Sequence, residues 1–268
     1  MALPLPSNTV LYEKRDRIAW ITLNRPDALN AQNRELGSTI SLAVEEATND
    51  DDVLVAIITG AGGRAFCAGM DMKERAQVDA AEGVDMARTG GLGGAARGIQ
   101  LGNCPKPVIA AIDGYCLGAG MVLALQTDIR IATEQSRFGM PEVRRSILMP
   151  AGPQEPEWHI PVGEAMWMGL TAAHMTARRA FDIGLVQALA PDRQALFLEA
   201  QRLAEEIKLG APLAVRATKR LIRASISMHP EQTVQVRQIL AEMVDRSEDR
   251  HEGPRAFAEK RAPVWKGR

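Results

Sequence analysis

Residues 107–142 contain a segment whose residue types and order could stabilise a developing negative charge. The apolar run at residues 108–112 predicts a strand, Asp113-Gly114 predicts a turn, and Gly118-Ala119-Gly120 opens an apolar segment long enough for a buried helix. Small residues let the backbone approach a ligand closely, and the first N–H groups of a helix lack an acceptor within that helix. The segment therefore predicts available backbone donors, with a tightly packed strand–turn–helix as the alternative.

The same order of features occurs earlier in the chain. Residues 53–59 form a continuous apolar run, which is typical of a strand buried on both faces. The glycine-rich loop Gly60-Ala61-Gly62-Gly63 follows, and Ala68-Gly69 then precedes a predicted helix. Two such units in one chain could direct their backbone donors at a common point.

Glu142 is the carboxylate nearest to the end of this segment. It follows Phe138-Gly139-Met140-Pro141, a turn in which the proline is well placed to start a helix. A carboxylate in the first turn of a helix is stabilised by the helix dipole. From the residues alone this structural role is the favoured interpretation, and acid–base catalysis is the alternative.

Composition argues against several classes of function. The 268 residues carry 32 basic and 33 acidic side chains, a net charge of −1, which gives no support for a nucleic-acid or membrane-surface protein. No apolar run approaches the ~20 residues that a membrane helix needs, and residues 1–10 do not resemble a signal peptide. Cys67, Cys104 and Cys116 lack metal-ligand spacing, so no metal site is expected, and a reducing, cytoplasmic location fits them.

The elements that must position these segments alternate between strands and helices. Residues 10–23 predict a hairpin, and a helix is expected from about Asn33, with apolar residues on one face at helical spacing. Further strands are predicted at residues 128–133 and 186–189. The glycine run Gly90-Gly91-Leu92-Gly93-Gly94 makes its surroundings a candidate lid.

The last third of the chain has helical periodicity. Glycine and proline residues bound the predicted helices, which cover residues 177–184, 194–209, 212–228 and 231–245. We therefore predict an α/β core at residues 1–190 and a helical C-terminal region at residues 191–268.

Taken together, these motifs make the chain resemble the crotonase (enoyl-CoA hydratase/isomerase) superfamily over nearly its whole length. The motifs are highly specific for the superfamily but poor at naming the reaction. They are Asn24-Arg25-Pro26, Leu29-Asn30-Ala31, Ala65-Phe66-Cys67-Ala68-Gly69-Met70-Asp71, Lys106-Pro107-Val108-Ile109-Ala110-Ala111, Gly114-Tyr115-Cys116-Leu117-Gly118-Ala119-Gly120, Phe138-Gly139-Met140-Pro141-Glu142, Gly184-Leu185-Val186, Glu252-Gly253-Pro254 and Ala256-Phe257-Ala258-Glu259-Lys260-Arg261.

The resemblance implies a spiral of repeated ββα units with a C-terminal helical trimerisation region, assembled as a homotrimer or a dimer of trimers. It implies an acyl-CoA thioester as the ligand, with no cofactor beyond the coenzyme A of the substrate. By position, the backbone N–H groups of Ala68 and Ala119 would form an oxyanion hole for the thioester carbonyl, and Glu142 would be the catalytic acid–base group. Such donors are worth about 3–4 kcal/mol each in other enzymes.

The resemblance also places a coenzyme A site. Asp27 stands where relatives often have lysine near the CoA phosphates, and Arg25 is expected to compensate. Phe257 and Lys260 would approach CoA from the C-terminal tail, which could belong to a neighbouring subunit. The residues expected to line the site are Ala28, Ala68, Met70, Asp71 and Met72.

The chain departs from the hydratase pattern at one catalytic position. Hydratases of this family use two glutamates to hold and split one water, and the first of these falls on Val122. Acid–base catalysis is typically worth about 10²–10⁴ in rate. The expected activity is therefore an isomerase-like proton transfer by a single glutamate, or an atypical hydratase. The alternatives are thioester hydrolysis, decarboxylation, or a CoA-binding protein with little catalysis.

A second departure lies at residues 150–161, where the family usually has a Gly-Gly-x-x-Arg-Leu run beside the acyl pocket. Here the segment is proline-rich, which predicts an altered acyl pocket. Glu157 and His159 could replace the missing acid–base group, and a solvated loop is the favoured alternative.

Overall fold

The computed structural model describes residues 5–82, 101–149 and 159–268. The candidate lid at residues 90–94 and Glu157 lie outside these ranges. Within them, no helix is long and apolar enough to cross a membrane.

The main sheet begins with the predicted hairpin. Strand β1 (Val10–Arg15) pairs antiparallel with β2 (Ile18–Leu23), and Asp16 and Arg17 turn the chain with φ values of 48° and 66°. Parallel strands then extend the sheet from β2. They are β3 (Val55–Gly60), β5 (Val108–Ile112), β7 (Ile129–Thr133) and β10 (Ala188–Ala190), in that spatial order.

A smaller sheet lies beside the main one and is built from very short strands. Its members, in spatial order, are β4 (Ala65–Cys67), β6 (Tyr115–Leu117), β8 (Arg137–Gly139) and β9 (Met175–Thr176). The first three are parallel to one another, and β9 is antiparallel to β8. The sequence patterns did not predict these four strands, because alternation cannot be recognised over two or three residues.

Helices follow the strand pairs in a repeated order. Asn33 caps α1 (Arg34–Asn49) through its side chain, which accepts the Leu36 N–H. α2 (Met72–Glu82) follows β3 and β4, and α3 (Ala119–Leu125) follows β5 and β6. The chain thus repeats a ββα unit, as the resemblance implied. The remaining helices are α4 (Val162–Thr171), α5 (Ala177–Asp182), α6 (Arg193–Lys208), α7 (Pro212–Ser227), α8 (Pro230–Asp245) and α9 (Asp249–Ala258).

Two apolar clusters hold these layers together. The larger one joins the two sheets to the buried face of α1 and to all of α3 except its first two residues. The smaller one packs α6 onto the opposite face of the main sheet, where Leu196, Ala200 and Ala204 lie with Ile57 and Ile109. The first helix beyond residue 190 therefore packs as a layer of the α/β core.

Ion pairs fasten the C-terminal helices to the strand ends. Arg193 at the start of α6 donates to the buried Asp113 carboxylate at 3.0 Å and to the Gly60 carbonyl at 2.8 Å. Lys219 and Arg223 of α7 both bind Asp128, each at 2.7 Å. These contacts fix α6 at the carboxyl ends of β3 and β5, and α7 at the start of β7.

Candidate active site

Three turns meet at the carboxyl ends of neighbouring parallel strands in the smaller sheet. Ala68 directly follows β4, Gly118 and Ala119 follow β6, and Glu142 lies three residues beyond β8. Because β4, β6 and β8 are parallel and adjacent, their carboxyl ends share one edge. In sheets of parallel strands, ligand sites form at this edge.

Glycines bring the first two turns into contact. A Cβ atom on Gly120 would lie 2.2 Å from the Cys67 carbonyl oxygen, and one on Gly69 would lie 3.2 Å from the Leu117 oxygen and 3.9 Å from the Ala119 nitrogen. Gly118 has a φ of +52°, which an L side chain rarely adopts. Side chains at these positions would force the turns apart, so the sequence requires glycine for the approach.

The two proposed backbone donors have different surroundings. Ala119 is the first residue of α3, and the N–H groups in the first turn of a helix have no acceptor within that helix. The Ala68 N–H instead donates to the Leu29 carbonyl at 3.0 Å, in a turn where Leu29 has a φ of 52°. An oxyanion bound at Ala68 would have to share or replace that hydrogen bond.

Glu142 lies against the second of these turns. A Cβ atom on Gly118 would be 3.0 Å from Glu142 Oε1. The other oxygen, Oε2, is buried and has no hydrogen-bond partner among the described residues. Burial raises the pKa of this carboxyl group above its ordinary value, against a hydrogen bond from its own backbone N–H that lowers the pKa. A raised pKa makes the Glu142 carboxylate a stronger base than the carboxylate of a solvated glutamate.

The local backbone explains how Glu142 is presented. Pro141 precedes a 3₁₀ turn, Glu142–Arg145, and this turn stands where the sequence predicted the start of a helix. The turn ends at Ser146 with a φ of 54°, and Ile147 closes it by donating to the Glu142 carbonyl. The carboxylate thus comes from a short hydrogen-bonded turn at the strand edge.

Val122 lies in α3, one turn beyond Ala119, and is part of the large apolar cluster. Its side chain is 8% exposed. The position that the resemblance assigns to a second glutamate is therefore occupied by a buried apolar group that cannot transfer a proton.

Two of the predicted CoA-site residues are paired with each other. Arg25 donates to Asp71 at 2.9 Å and also to the Ala31 carbonyl. Asp71 also accepts the N–H groups of Lys73 and Glu74, so it caps α2. Burial alone would raise the pKa of Asp71, but the hydrogen bonds from Arg25 and the helix N–H groups lower it. The Arg25 guanidinium is therefore already engaged within the chain by Asp71 and the Ala31 carbonyl.

The other predicted CoA-site residues are spread over three places. Ala28 ends a 3₁₀ turn (Pro26–Ala28), and Met72 begins α2 with its side chain partly exposed. Met70 forms an isolated parallel bridge with Gln32. Phe257 lies near the end of α9 with its side chain 88% exposed, and Lys260 follows it in a left-handed turn.

Of the remaining candidates, His159 lies apart from this strand edge, and Cys67 is not in its reactive thiolate form. His159 lines a cleft of about 560 Å³ beside α7, together with Arg130, Lys219 and Arg223. Burial raises the pKa of the Cys67 thiol to about 11, so it is not a thiolate near neutral pH. Within the described ranges, no group of three or more His, Cys, Asp or Glu side chains could hold a metal ion.

Sequence reasoning missed two amide side chains behind the turns. Gln32 is 4% exposed, and its Nε2 donates to the Ala119 carbonyl at 3.2 Å. Asn30 donates to the carbonyls of Ala61 and Ala65 at 3.0 and 2.8 Å. Asn30 is part of a quoted motif, but the carbonyls to which both amides donate lie far away in the chain, and no local pattern indicates them.

Comparison with known proteins identifies the family that has this fold. A family model described as enoyl-CoA hydratase/isomerase matches residues 13–268. The chain belongs to the enoyl-CoA hydratase/isomerase family, as the resemblance in its motifs indicated.

Individual relatives match over nearly the whole chain. The enoyl-CoA hydratase EchA19 of Mycobacterium tuberculosis is 37% identical, with 96% of each chain covered. The (E)-benzylidenesuccinyl-CoA hydratase of Thauera aromatica is 35% identical, covering 96% of this chain and 99% of the relative. A crystal structure of an enoyl-CoA hydratase from M. tuberculosis superposes with a TM-score of 0.86 at 39% identity, covering 98% of this chain and 100% of that one.

Proposed function

We propose that this enzyme transfers protons on an unsaturated acyl-CoA thioester, with Glu142 as its single acid–base group. The proposal rests on the half-buried Glu142, whose Oε2 atom is buried without a partner among the described residues and whose carboxyl lies beside Gly118 at the edge where three parallel strands end. Val122 supports the restriction to one carboxylate, because it is buried and apolar.

The proposed reaction moves a double bond. Glu142 takes a proton from the α carbon of a β,γ-unsaturated thioester, and the electron pair delocalises onto the thioester oxygen as a dienolate. The N–H groups of Ala119 and Ala68 donate to that oxygen. The protonated Glu142 then gives the proton to the γ carbon, which leaves an α,β double bond conjugated with the carbonyl.

The two donors play unequal parts in this proposal. Ala119 offers its N–H from the first turn of α3, where the helix dipole also favours negative charge. Ala68 contributes when the thioester oxygen displaces the Leu29 carbonyl or shares the hydrogen with it. Oxyanion donors of this kind typically change kcat by about 10²–10³ when one is removed.

Hydration is the second candidate, because several of the relatives are named as hydratases. In that reaction Glu142 would supply the proton to the α carbon, and water would add at the β carbon without a second glutamate from position 122. We expect this to be slower than proton transfer within the substrate, because water activation would lack its usual base.

The remaining contacts complete the proposed site. Ala28, Met70, Asp71 and Met72 line the coenzyme A site, with Arg25 near its phosphates. Phe257 and Lys260 extend from α9, which is consistent with a contribution to the site of a neighbouring chain in a homotrimer or dimer of trimers.

Turnover of two substrates tests the proposal. Crotonyl-CoA reports hydration and a β,γ-unsaturated acyl-CoA reports isomerisation, each measured with wild type and with Glu142→Ala. We expect isomerisation by wild type, slow hydration, and a loss of about 10²–10⁴ in kcat in the variant with binding retained. Rapid hydration would favour the second candidate. Turnover of the β,γ substrate by Glu142→Ala at the wild-type rate would exclude Glu142 as the acid–base group.

A further inference from the structure

We propose that Gln32 is a positioning residue that fixes the two oxyanion-hole donors, the N–H groups of Ala68 and Ala119, relative to each other. Its side chain contacts the turn that carries Ala119, and its backbone contacts the turn that carries Ala68. The inference rests on the proposed function, because it concerns the geometry of the same two donors.

The side-chain contact reaches across the fold to α3. Gln32 Nε2 donates to the Ala119 carbonyl at 3.2 Å, although the two residues are 87 positions apart. That carbonyl belongs to the residue whose N–H is the proposed oxyanion donor. Because the amide is 4% exposed, water has little access to replace this hydrogen bond.

The backbone of the same residue braces the other turn. Its N–H donates to the Gly69 carbonyl at 2.7 Å, and its carbonyl accepts the Asp71 N–H at 2.8 Å. These two bonds flank Met70 in a parallel bridge. The turn that follows Ala68 is therefore held by the backbone hydrogen bonds of a parallel β-bridge.

The two turns pack against each other, so the hydrogen bonds of Gln32 affect the positions of both donors. The turn that carries Gly69 lies beside the turn that carries Gly118, since a Cβ on Gly118 would be in ordinary van der Waals contact with the Gly69 Cα, at 3.7 Å. An oxyanion hole works only when its donors are fixed before charge develops. The Ala119 carbonyl and the Ala119 N–H lie in the two peptide groups that meet at the Ala119 Cα, so a small backbone shift at this residue would misdirect the N–H without unfolding α3. We expect kcat to fall in that case while substrate binding remains.

The alternative is that Gln32 only satisfies a buried carbonyl. Other amides in this structure have that role, including Asn30, which binds two loop carbonyls. A structural role predicts that any loss of activity follows a loss of stability, and a positioning role predicts that the two separate.

Isosteric removal of the donor distinguishes these roles. Gln32→Met keeps the length of the side chain and both backbone bonds but has no N–H group. Gln126→Met is the matched control, because Gln126 is also a buried glutamine, 3% exposed, and lies at the far end of α3. Gln32→Leu repeats the test with a smaller side chain if the methionine variant folds poorly.

Two readouts are needed for each variant. The first is steady-state turnover of a β,γ-unsaturated acyl-CoA together with the thermal midpoint Tm. The second is the infrared carbonyl frequency of butyryl-CoA, labelled with ¹³C at the carbonyl, when bound to the protein. Because butyryl-CoA has no double bond to move, its carbonyl shift reports the oxyanion hole without turnover.

For Gln32→Met we expect kcat to fall about five- to tenfold, the effect of one net hydrogen bond on a rate, with KM changed less than about twofold. The carbonyl shift should shrink, and Gln126→Met should leave both unchanged. Wild-type kcat and carbonyl shift in Gln32→Met, or equal losses in both variants that follow Tm, would overturn the inference. If wild type itself shifts no carbonyl, the oxyanion hole of the proposed function fails, and the inference fails with it.

Discussion

At the scale of single residues, the carboxyl group of Glu142 combines burial with an oxygen that has no partner among the described residues. Leaving a buried polar group unpaired typically costs about 1–3 kcal/mol. The same burial raises the pKa of the group, which suits proton transfer. Stability and catalysis therefore make opposite demands on this side chain.

This opposition predicts a pH-dependent difference between wild type and Glu142→Gln. The pKa of Glu142 in the folded state lies above its ordinary value of 4.5. At pH values between the ordinary and the raised pKa, the folded chain therefore binds more protons than the unfolded chain. The stability that Glu142 contributes is therefore greatest below the unfolded pKa and is lost as pH rises through the raised value. Relative to Glu142→Gln, the free energy of unfolding of wild type should fall as pH rises from the ordinary to the raised pKa. Above the raised pKa the difference between the two proteins should stay constant.

Denaturant unfolding of both proteins between about pH 4 and pH 8 measures this difference. Gln is neutral at every pH, so it is the reference. If the stability of wild type instead rises relative to Glu142→Gln as pH rises, Glu142 is stabilised as a carboxylate, and the raised pKa is wrong.

Val122 supports a complementary prediction. Val122→Glu places a carboxyl group one helical turn beyond Ala119, at the position that the resemblance gives to the second glutamate. We expect hydration of crotonyl-CoA to rise at least about tenfold while Tm falls, because burying a carboxyl group is unfavourable. Val122→Gln is the control for polarity and size. An equal rise in both variants, or none in either, would show that the missing glutamate does not limit hydration.

At the scale of elements, the contact between α3 and β4 sets the site. A Cβ on Gly120 would lie 2.2 Å from the Cys67 carbonyl and 2.7 Å from the Cys67 Cβ, and neither backbone nor Cβ can yield easily. Gly163, near the start of α4, has nothing within 4 Å of the same position. The two glycines therefore form a matched pair.

We expect Gly120→Ala to destabilise the fold by about 1–3 kcal/mol, because the helix must move off the strand. Gly163→Ala should instead stabilise it by up to about 1 kcal/mol, because alanine favours the helix. Urea unfolding of the two variants beside wild type measures both changes. Equal effects of the two substitutions would mean that the close packing of α3 on β4 is not a constraint.

Elements also differ in how far the sequence predicted them. Apolar periodicity and capping were enough for the hairpin, for α1 and for the long strands of the main sheet. The strands β4, β6, β8 and β9 were missed because strands of two or three residues are too short to show alternation. Helix α9 was missed because Gly253 and Pro254 read as helix breakers, whereas the helix continues through both and Glu252 binds Arg255 and Arg261.

At the scale of the whole molecule, motifs spread along the chain indicated the family, but the links behind the site could not be predicted. Arg25 with Asp71 and Gln32 with Ala119 are pairs separated by 46 and 87 residues. Such contacts depend on how distant turns meet, which local periodicity does not encode. The same limit applies to the assembly, since a single chain leaves Ile222, Ile226 and Ile239 exposed on α7 and α8.

The proposed assembly has a testable consequence. If Phe257 and Lys260 serve the site of a neighbouring chain, a double Phe257→Ala/Lys260→Ala variant should raise KM for acyl-CoA with little change in kcat. Refolding this variant together with Glu142→Ala should then restore activity at low substrate, because some mixed sites hold all the wild-type residues. Refolding Glu142→Ala with a chain that carries all three substitutions is the control. No restoration, in complexes shown to be mixed, would place the tail in its own chain's site or outside the site altogether.

Exchange of the α protons of a bound thioester tests the role of Glu142 and of the oxyanion hole directly. Butyryl-CoA has no double bond to hydrate or move, so uptake of deuterium from D₂O at its α carbon reports only enolate formation at the oxyanion hole and proton return by the acid–base group. Wild type should catalyse this exchange, and Glu142→Gln should lose it by about 10²–10⁴ while still binding the thioester. Exchange at the wild-type rate in Glu142→Gln, or no exchange by wild type with the thioester bound, would contradict the account.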